Sequence, residues 1–448
     1  MTRKFFGTDG IRGVANQALS ADLALAVGRA AVAVLPSESP LVLIGRDTRM
    51  SGPMLEAALV AGVSSAGGRV LQAGVIPTPA VASLVLETGA DAGVVISASH
   101  NPYQDNGIKF FGSSGFKLTD GQEREMELCL EGVEATETPS NPGPVDMLNG
   151  AVDAYVDKLV TRFDLDLSGL RILADCANGA TYRSSPLAFS RLGADVSVIN
   201  NEPDGFNIND NCGSTHMEQI CRLVREDGYD LGLAYDGDGD RVLAVDADGR
   251  LVDGDFIMAI CAKYLLDQGK LPKNTIVTTV MTNLGFHLAL GALGIDIKTA
   301  AVGDRYVLEE MLAGGYGFGG EQSGHLINLE TGTTGDGLGT SLLLLEVMTK
   351  TGVPLAELAR VMKRLPQKLV NVRVENMDGL ESAAAVWDKI GEETARLGDS
   401  GRILVRPSGT EPVVRVMVEA ASSELCDEVC GRIVTVVEQT LGAINCDI

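Results

Sequence analysis

Leu41-Val42-Leu43-Ile44, a helical stretch from Met54 to Ser65, and Gly67-Gly68-Arg69-Val70-Leu71 decide the fold class. The first and last segments read as buried strands, and the glycine pair reads as the helix stop between them. The same order recurs twice. Leu170-Arg171-Ile172-Leu173-Ala174 precedes a helical stretch ending Arg191-Leu192-Gly193-Ala194-Asp195-Val196. Thr275-Ile276-Val277-Thr278-Thr279-Val280 precedes Asn283 to Leu293, then Gly294-Ile295-Asp296-Ile297. Each is a βαβ unit, so three related α/β domains with parallel or mixed sheets are expected. The spacing is domain-sized, which excludes a solenoid.

The order changes after Leu365-Pro366-Gln367. Val370, Val372 and Val374 alternate, a helix is expected near Glu381 to Leu397, and strands near Arg402 to Val405 and Val413 to Val418. An amphipathic helix closes the chain, giving a smaller α+β domain. A Pro/Gly/Glu-rich excursion, Glu131 to Pro144, precedes the first boundary, and Gly249 to Asp255 marks the second. The expected domains are therefore 1–150, 151–252, 253–366 and 367–448.

A chain of 448 residues is too long for one core. Its net charge of -24 argues against nonspecific binding to nucleic acid or anionic membrane and reads as solubility. An anionic substrate would then need local arginines and lysines to reverse the field. The start, Met1 to Gly10, lacks the apolar stretch of a signal peptide, and no apolar run is long enough to span a bilayer. A cytoplasmic location is expected. The cysteines show no zinc-type CxxC pairs and read as reduced packing residues, including Cys426 and Cys430, four apart on a helix.

Five segments can carry chemistry. Ile96-Ser97-Ala98-Ser99-His100-Asn101-Pro102 places a hydroxyl nucleophile, Ser99, beside His100 in a turn after an apolar strand. A turn-capping serine is the plain alternative; a Ser-His-Asp hydrolase would want the missing GxSxG elbow. Asp236-Gly237-Asp238-Gly239-Asp240-Arg241 clusters three carboxylates on one side of an extended loop. Two unpaired carboxylates ~4 Å apart repel by about 4 kcal/mol at an effective dielectric near 20, so the cluster wants a hard divalent cation. The alternative is a solvated acidic turn; the glycine and glutamate spacing of an EF-hand is absent. A phosphorylatable serine with a magnesium-type site suggests phosphoryl transfer through a phosphoserine.

Lys109 lies on an apolar strand, either as a surface lysine or as a phosphate neighbour or proton carrier. Gly320-Glu321-Gln322-Ser323-Gly324-His325 can present Glu321 and Ser323 together to sugar hydroxyls, with His325 as a proton carrier. The preceding Gly315 to Gly320 fits GxGxxG by letter, but no helical pattern opens after it. Arg406-Pro407-Ser408-Gly409-Thr410-Glu411-Pro412, with Arg415 behind it, is an anion cradle by composition, against the alternative of an ordinary Pro/Gly turn. In Gly7-Thr8-Asp9-Gly10-Ile11-Arg12-Gly13, Arg12 can reach a reacting phosphoryl group.

Taken in order, the serine, aspartate, sugar and phosphate loops resemble the α-D-phosphohexomutase family over nearly the whole chain. The resemblance implies four domains around a central cleft. It implies phosphate on Ser99, and Mg²⁺ held by Asp236, Asp238, Asp240 and a phosphoserine oxygen. It also implies a substrate phosphate in the Arg406, Ser408, Gly409, Thr410 loop with help from Arg415, and sugar hydroxyls on Glu321 and Ser323. Arg12, Lys109 and Arg241 would balance the transferred charge, with Lys109 or His325 taking the proton. Phe6 to Gly13 and Gly320 to His325 are similar to the branch of the family that interconverts glucosamine 6-phosphate and glucosamine 1-phosphate, on the route to UDP-N-acetylglucosamine. A phosphomannose/phosphoglucose branch, which commonly differs at Gln322, and a Mg-dependent phosphohydrolase are the alternatives. A sugar 1,6-bisphosphate is the implied intermediate and activator. A kinase or that bisphosphate would prime Ser99, and a homodimer is left open.

Overall fold

The strand read first runs Leu41–Arg46 and lies parallel to Arg69–Val75 on one side and Ala92–Ile96 on the other. The computed structural model describes residues 4–7, 9–132, 139–407 and 413–443. Val42, Leu43 and Ile44 are wholly buried, as an unbroken apolar run in a doubly covered parallel sheet should be. The crossover helix is Gly52–Ser65, opened by a proline in its first turn. Beyond Ala92–Ile96 the sheet turns antiparallel through Asp105–Gly112, Gly10–Val14 and Phe6–Gly7, while Val145–Met147 closes its other edge. Residues 133–138 of the expected excursion lie outside the described residues.

Two further mixed sheets repeat this plan. In one, Asp195–Ile199, Arg171–Asp175 and Leu231–Tyr235 are parallel, and Val242–Asp246 and Leu251–Val252 return antiparallel. In the other, Asp296–Ala300, Thr275–Thr279 and Phe318–Gly320 are parallel and Leu326–Asn328 returns antiparallel. Each sheet thus has a hairpin from a parallel strand to its antiparallel partner. The three hairpin loops are residues 97–104, 236–241 and 321–325, the segments singled out for chemistry. No helix among the described residues is long and apolar enough to cross a membrane.

The chain forms two compact units: the described part of Met1–Met281 with Leu293–Val361, and Thr282–Ala292 with the described part of Met362–Ile448. The second holds an antiparallel sheet ordered Gln367–Arg373, Val413–Glu419, Arg402–Pro407, packed with Ala384–Leu397 and Ser423–Leu441. Cys426 and Cys430 are buried on that last helix, as packing residues. The helix Leu284–Ala292 follows a strand of the third βαβ unit but belongs to this second unit. The reason is Glu419: wholly buried, its carboxylate accepts from Asn283 Nδ2 at 3.1 Å and the Leu284 amide at 3.0 Å, and pairs with Arg402 at 3.0 Å.

The N-terminal strand is fastened by one side chain. Buried Glu127, on the helix Asp120–Leu130, accepts the amides of Phe5 at 2.7 Å, Phe6 at 2.6 Å and Lys4 at 3.3 Å. Glu127→Ala is therefore expected to cost about 2–4 kcal/mol in urea unfolding. It should also speed hydrogen exchange at the Phe5 and Phe6 amides; unchanged exchange there would refute this anchoring role.

Candidate active site

Ser99 sits at the end of the first hairpin strand, with φ +52, the left-handed region. That conformation costs a residue with a Cβ about 1–2 kcal/mol, so the surroundings must impose it. Its amide donates to Ser97 Oγ at 2.9 Å, and Ser97 Oγ donates to Asp47 Oδ2 at 2.6 Å. Its carbonyl accepts from Arg49 Nη2 at 3.0 Å and Asn209 Nδ2 at 2.9 Å. Arg49 is wholly buried, pairs with Asp47 at 2.8 Å, and also donates to the carbonyls of Asn101, Pro102 and Asp105. A Cβ at Gly237 would lie 2.6 Å from the Ser99 carbonyl oxygen, so only glycine lets the aspartate loop approach so closely. With its backbone held, Ser99 Oγ points at Asp236 Oδ2, 2.6 Å away, and lies 3.3 Å from His100 Nδ1.

Asp236, Asp238 and Asp240 are all buried, and each offers an oxygen within 4.8 Å of the others. Asp238 Oδ1 and Asp240 Oδ1 have no hydrogen-bond partner among the described residues. Buried carboxylate oxygens left bare in this way, all hard donors, fit a divalent cation. Burial, then Asp240 and Asp238, hold the Asp236 carboxyl well above the usual range, and burial and Asp238 raise Asp240. For Asp238 burial acts in the same direction but Lys109 and a hydrogen bond from Thr78 outweigh it, and the net shift is downward.

Lys109 is buried, not on the surface. Its Nζ lies 3.0 Å from Asp238, 3.2 Å from Asp9 and 3.8 Å from Asp240. Burial alone would lower its pKa, but the three carboxylates raise it. Arg12 is exposed and pairs with Asp9. The Arg241 amide donates to Asp236 Oδ1 at 3.2 Å, and its Nε lies 3.7 Å from Asp240. Burial, then Arg241 and Arg12, push His100 down to about 4, so its ring is neutral at pH 7.

On the third loop, half-buried Glu321 accepts the Gly303 amide at 3.0 Å, Ser323 is exposed, and Gln322 donates to Asp255 Oδ2 at 2.9 Å. His325 is buried, 3.8 Å from Asp240 and 3.6 Å from Asp304, and neither ring nitrogen has a hydrogen-bond partner among the described residues. The helix Asp304–Gly314 begins beside a solvent-open cleft lined by Gly303, Asp304, Arg305 and Tyr306. The structure thus gathers Ser99, His100, Lys109, Arg12, the three aspartates, Arg241 and His325 into contiguous contacts within the first unit.

In the second unit, Arg406 and Arg415 face each other on paired strands. Burial and Arg415 hold Arg406 below its ordinary value. Two like charges in register suit an anion. Ser408, Gly409 and Thr410 lie outside the described residues.

Asp47, Arg49, Asn209, Asp9, Lys117 and Asp304 escaped the sequence reading. A signal existed for the first two: Arg46-Asp47-Thr48-Arg49 is a charged cluster directly after a buried parallel strand, where α/β sheets place their sites.

Matches to known proteins cover the chain from end to end. The phosphoglucomutase/phosphomannomutase models match in four parts: alpha/beta/alpha domain I over residues 3–137, domain II over 153–249, domain III over 253–365, and the C-terminal domain over 369–436. A phosphoglucosamine mutase of Pelotomaculum thermopropionicum is 55% identical over 97% of this chain and 99% of its own length. A phosphoglucomutase/phosphomannomutase family protein from Burkholderia thailandensis shares the fold with a TM-score of 0.83 at 24% identity, covering 99% of both chains. The N-acetylphosphoglucosamine mutase of Aspergillus fumigatus, in complex with GlcNAc-6P and magnesium, superposes with a TM-score of 0.68 at 19% identity, over 98% of this chain and 96% of that one.

Removing Arg49 leaves the Asp47 carboxylate buried without its cation. Arg49→Met is expected to destabilise the protein by about 3–5 kcal/mol in chemical denaturation. A loss below ~1 kcal/mol would show that the buried pair does not hold the serine loop.

Proposed function

The chain belongs to the phosphoglucomutase/phosphomannomutase family and is a phosphosugar mutase, an isomerase, and on that premise we propose that it interconverts glucosamine 6-phosphate and glucosamine 1-phosphate through a phosphoserine at Ser99. The observation that carries the reading is the buried Ser99 hydroxyl 2.6 Å from the first carboxylate of a bare acidic cluster. The choice of amino sugar rests on the high identity to a phosphoglucosamine mutase and on the Gly320 to His325 loop. Product would feed UDP-N-acetylglucosamine synthesis, and a cytoplasmic location belongs to the same reading. Four domains, 1–150, 151–252, 253–366 and 367–448, each contribute one loop.

The chemistry needs position and charge balance more than covalent help. A phosphate on Ser99 brings about -1.5 to -2 charges into a pocket already holding three aspartates. Arg12, Lys109 and Arg241 oppose that charge. Asp236, Asp238 and Asp240 would hold Mg²⁺, which neutralises charge on the phosphoryl oxygens when bound. Glu321 and Ser323 hold the sugar hydroxyls, and Arg406, Ser408, Gly409, Thr410 and Arg415 take the phosphate that is not being transferred. The free sugar hydroxyl attacks phosphorus, its O–P bond forms as the Ser99 Oγ–P bond breaks, and its proton passes to a side chain. Lys109 and His325 are the two carriers in reach; the uncommitted ring nitrogens favour His325, because the Lys109 ammonium is committed to Asp238 and Asp9. The bisphosphate so formed turns over and returns its other phosphate to Ser99. First loading comes from a sugar bisphosphate or a kinase.

Ser99→Ala is expected to lose at least ~10³-fold in turnover and to carry no phosphate in peptide mapping; a phosphate-free, active variant would overturn the assignment. Asp238→Asn should lose magnesium-dependent turnover, and activity unchanged across a magnesium titration would contradict it. With Mg²⁺ and a trace of sugar bisphosphate, kcat/KM for glucosamine 1-phosphate should exceed that for glucose 1-phosphate and mannose 1-phosphate, with almost no inorganic phosphate released. Equal use of all three would move the protein to a phosphomannose or phosphoglucose role.

A further inference from the structure

Lys117 has no part in the reading above, yet it stands between the two halves of the site. It lies on the chain's return from the strand Asp105–Gly112 that carries Lys109, and its backbone bridges to Phe111. Its Nζ contacts Asp9 Oδ1 and Asp304 Oδ2. Asp9 gives its other oxygen to Lys109, 3.2 Å away, and to Arg12. Asp304 stands 3.6 Å from His325, and the amide of the residue before it, Gly303, donates to Glu321 at 3.0 Å. Charges therefore alternate from Asp238 through Lys109, Asp9 and Lys117 to Asp304, from the phosphoryl side to the sugar side.

The groups are committed to this arrangement. Burial raises the Asp9 and Asp304 carboxyls, but the lysines outweigh it; Asp9 falls well below the usual range, and Asp304 to about 2. Loss of the Lys117 ammonium would leave Asp304 with the Arg305 amide and His325 as its partners among the described residues, and would remove the tie between the loop at Asp9 and the helix that begins at Asp304. Other ties run beside it. Arg305 joins the helix that begins at Asp304 to Asp120 and Glu123 of the helix Asp120–Leu130, and Thr333 Oγ1 donates to the Gly115 carbonyl at 2.5 Å. Those outer contacts hold the elements together, whereas Lys117 alone ends inside the site.

We propose that Lys117 is a positioning residue that sets Asp304, Gly303 and hence Glu321 in register with Lys109 and the phosphoryl group on Ser99. It touches neither half of the reacting bond. Its effect is on how the sugar is presented to the phosphoserine. The proposal rests on the reading of Ser99 as phosphate carrier and of Glu321 as sugar ligand.

The test compares wild type, Lys117→Met and Lys117→Arg as full-length phosphorylated enzymes. Two rates separate the halves of the site: turnover of glucosamine 1-phosphate, and slow hydrolysis of the phosphoserine with no sugar present. For Lys117→Met, KM is expected to rise about tenfold or more while phosphoserine hydrolysis stays within about threefold of wild type. Lys117→Arg, which keeps a cation able to span two carboxylates, should recover most of the loss. An unchanged KM, a parallel change in KM and hydrolysis, or an arginine variant no better than methionine would each overturn the proposal. If Lys117→Met does not fold, Lys117→Arg alone decides: KM within about threefold of wild type supports the role and a larger rise refutes it. A wild-type enzyme that turns over none of the sugar phosphates would instead refute the functional reading beneath it.

Discussion

A single buried ammonium, that of Lys109, is the interaction on which the rest of the site depends. It is 2% exposed and lies within 3.8 Å of carboxylates from two different sheets, Asp9 from the first and Asp238 and Asp240 from the second. Removing a lysine from water is costly unless the charge is met, and these carboxylates meet it. The dependence runs both ways. Three aspartates packed together repel one another, and without an ammonium among them Asp238 would be driven up by burial as Asp236 is. The result is a site with alternating charge whose bare aspartate oxygens fit a divalent cation.

The three sheets deliver these groups by one repeated device. In each, a parallel strand returns antiparallel, and the loop of that hairpin carries the residues proposed for the chemistry: Ser99, then Asp236 to Arg241, then Glu321 to His325. The parallel strands and crossover helices were legible because buried strands read as unbroken apolar runs and helices end at glycine. The hairpins were not legible as hairpins. Short hairpins announce themselves by Asn-Gly or Asp-Gly turns between alternating strands. Here the flanking strands are buried on both faces, so the alternation is lost, and the Asp-Gly pairs of the second loop, Asp236-Gly237 and Asp238-Gly239, sit in a six-residue acidic cluster that reads first as a cation site. The helix Leu284–Ala292 shows a different limit: its apolar pattern identifies a helix, but only buried Glu419, over a hundred residues on, decides which core receives it.

Within the site, legibility followed locality. Ser99-His100 and the aspartate loop are short, dense clusters whose residue types alone restrict the chemistry. Arg49, Asn209 and Lys117 are single residues, and their meaning lies in partners far away in sequence: 110 positions from Asn209 to Ser99, and 187 from Lys117 to Asp304. A lone asparagine in the Asn-rich stretch after Asn200, or a lysine before a helix cap, has an ordinary surface role as its default reading. Burial separates the two, and burial of a polar side chain is a property of the fold. Lys109 shows this most plainly, since the strand position that left a surface lysine and a phosphate neighbour both open is 2% exposed.

The division of labour around Ser99 follows from that burial. A left-handed serine is a strained choice, yet every backbone group it offers is satisfied: the amide by Ser97, the carbonyl by Arg49 and Asn209 together. Arg49 and Asn209 therefore bind only main-chain carbonyls of the loop, and Asp236 and His100 are left to the Ser99 side chain. On the proposed reading the hydroxyl would gain and lose a phosphoryl group, with a change of about two charges, while the peptide that bears it keeps the same partners. The strain is carried by buried charge, the Asp47–Arg49 pair. On the proposed reading, a loop held through the phosphate itself would relax at each transfer, and a bisphosphate would return to a serine that had moved.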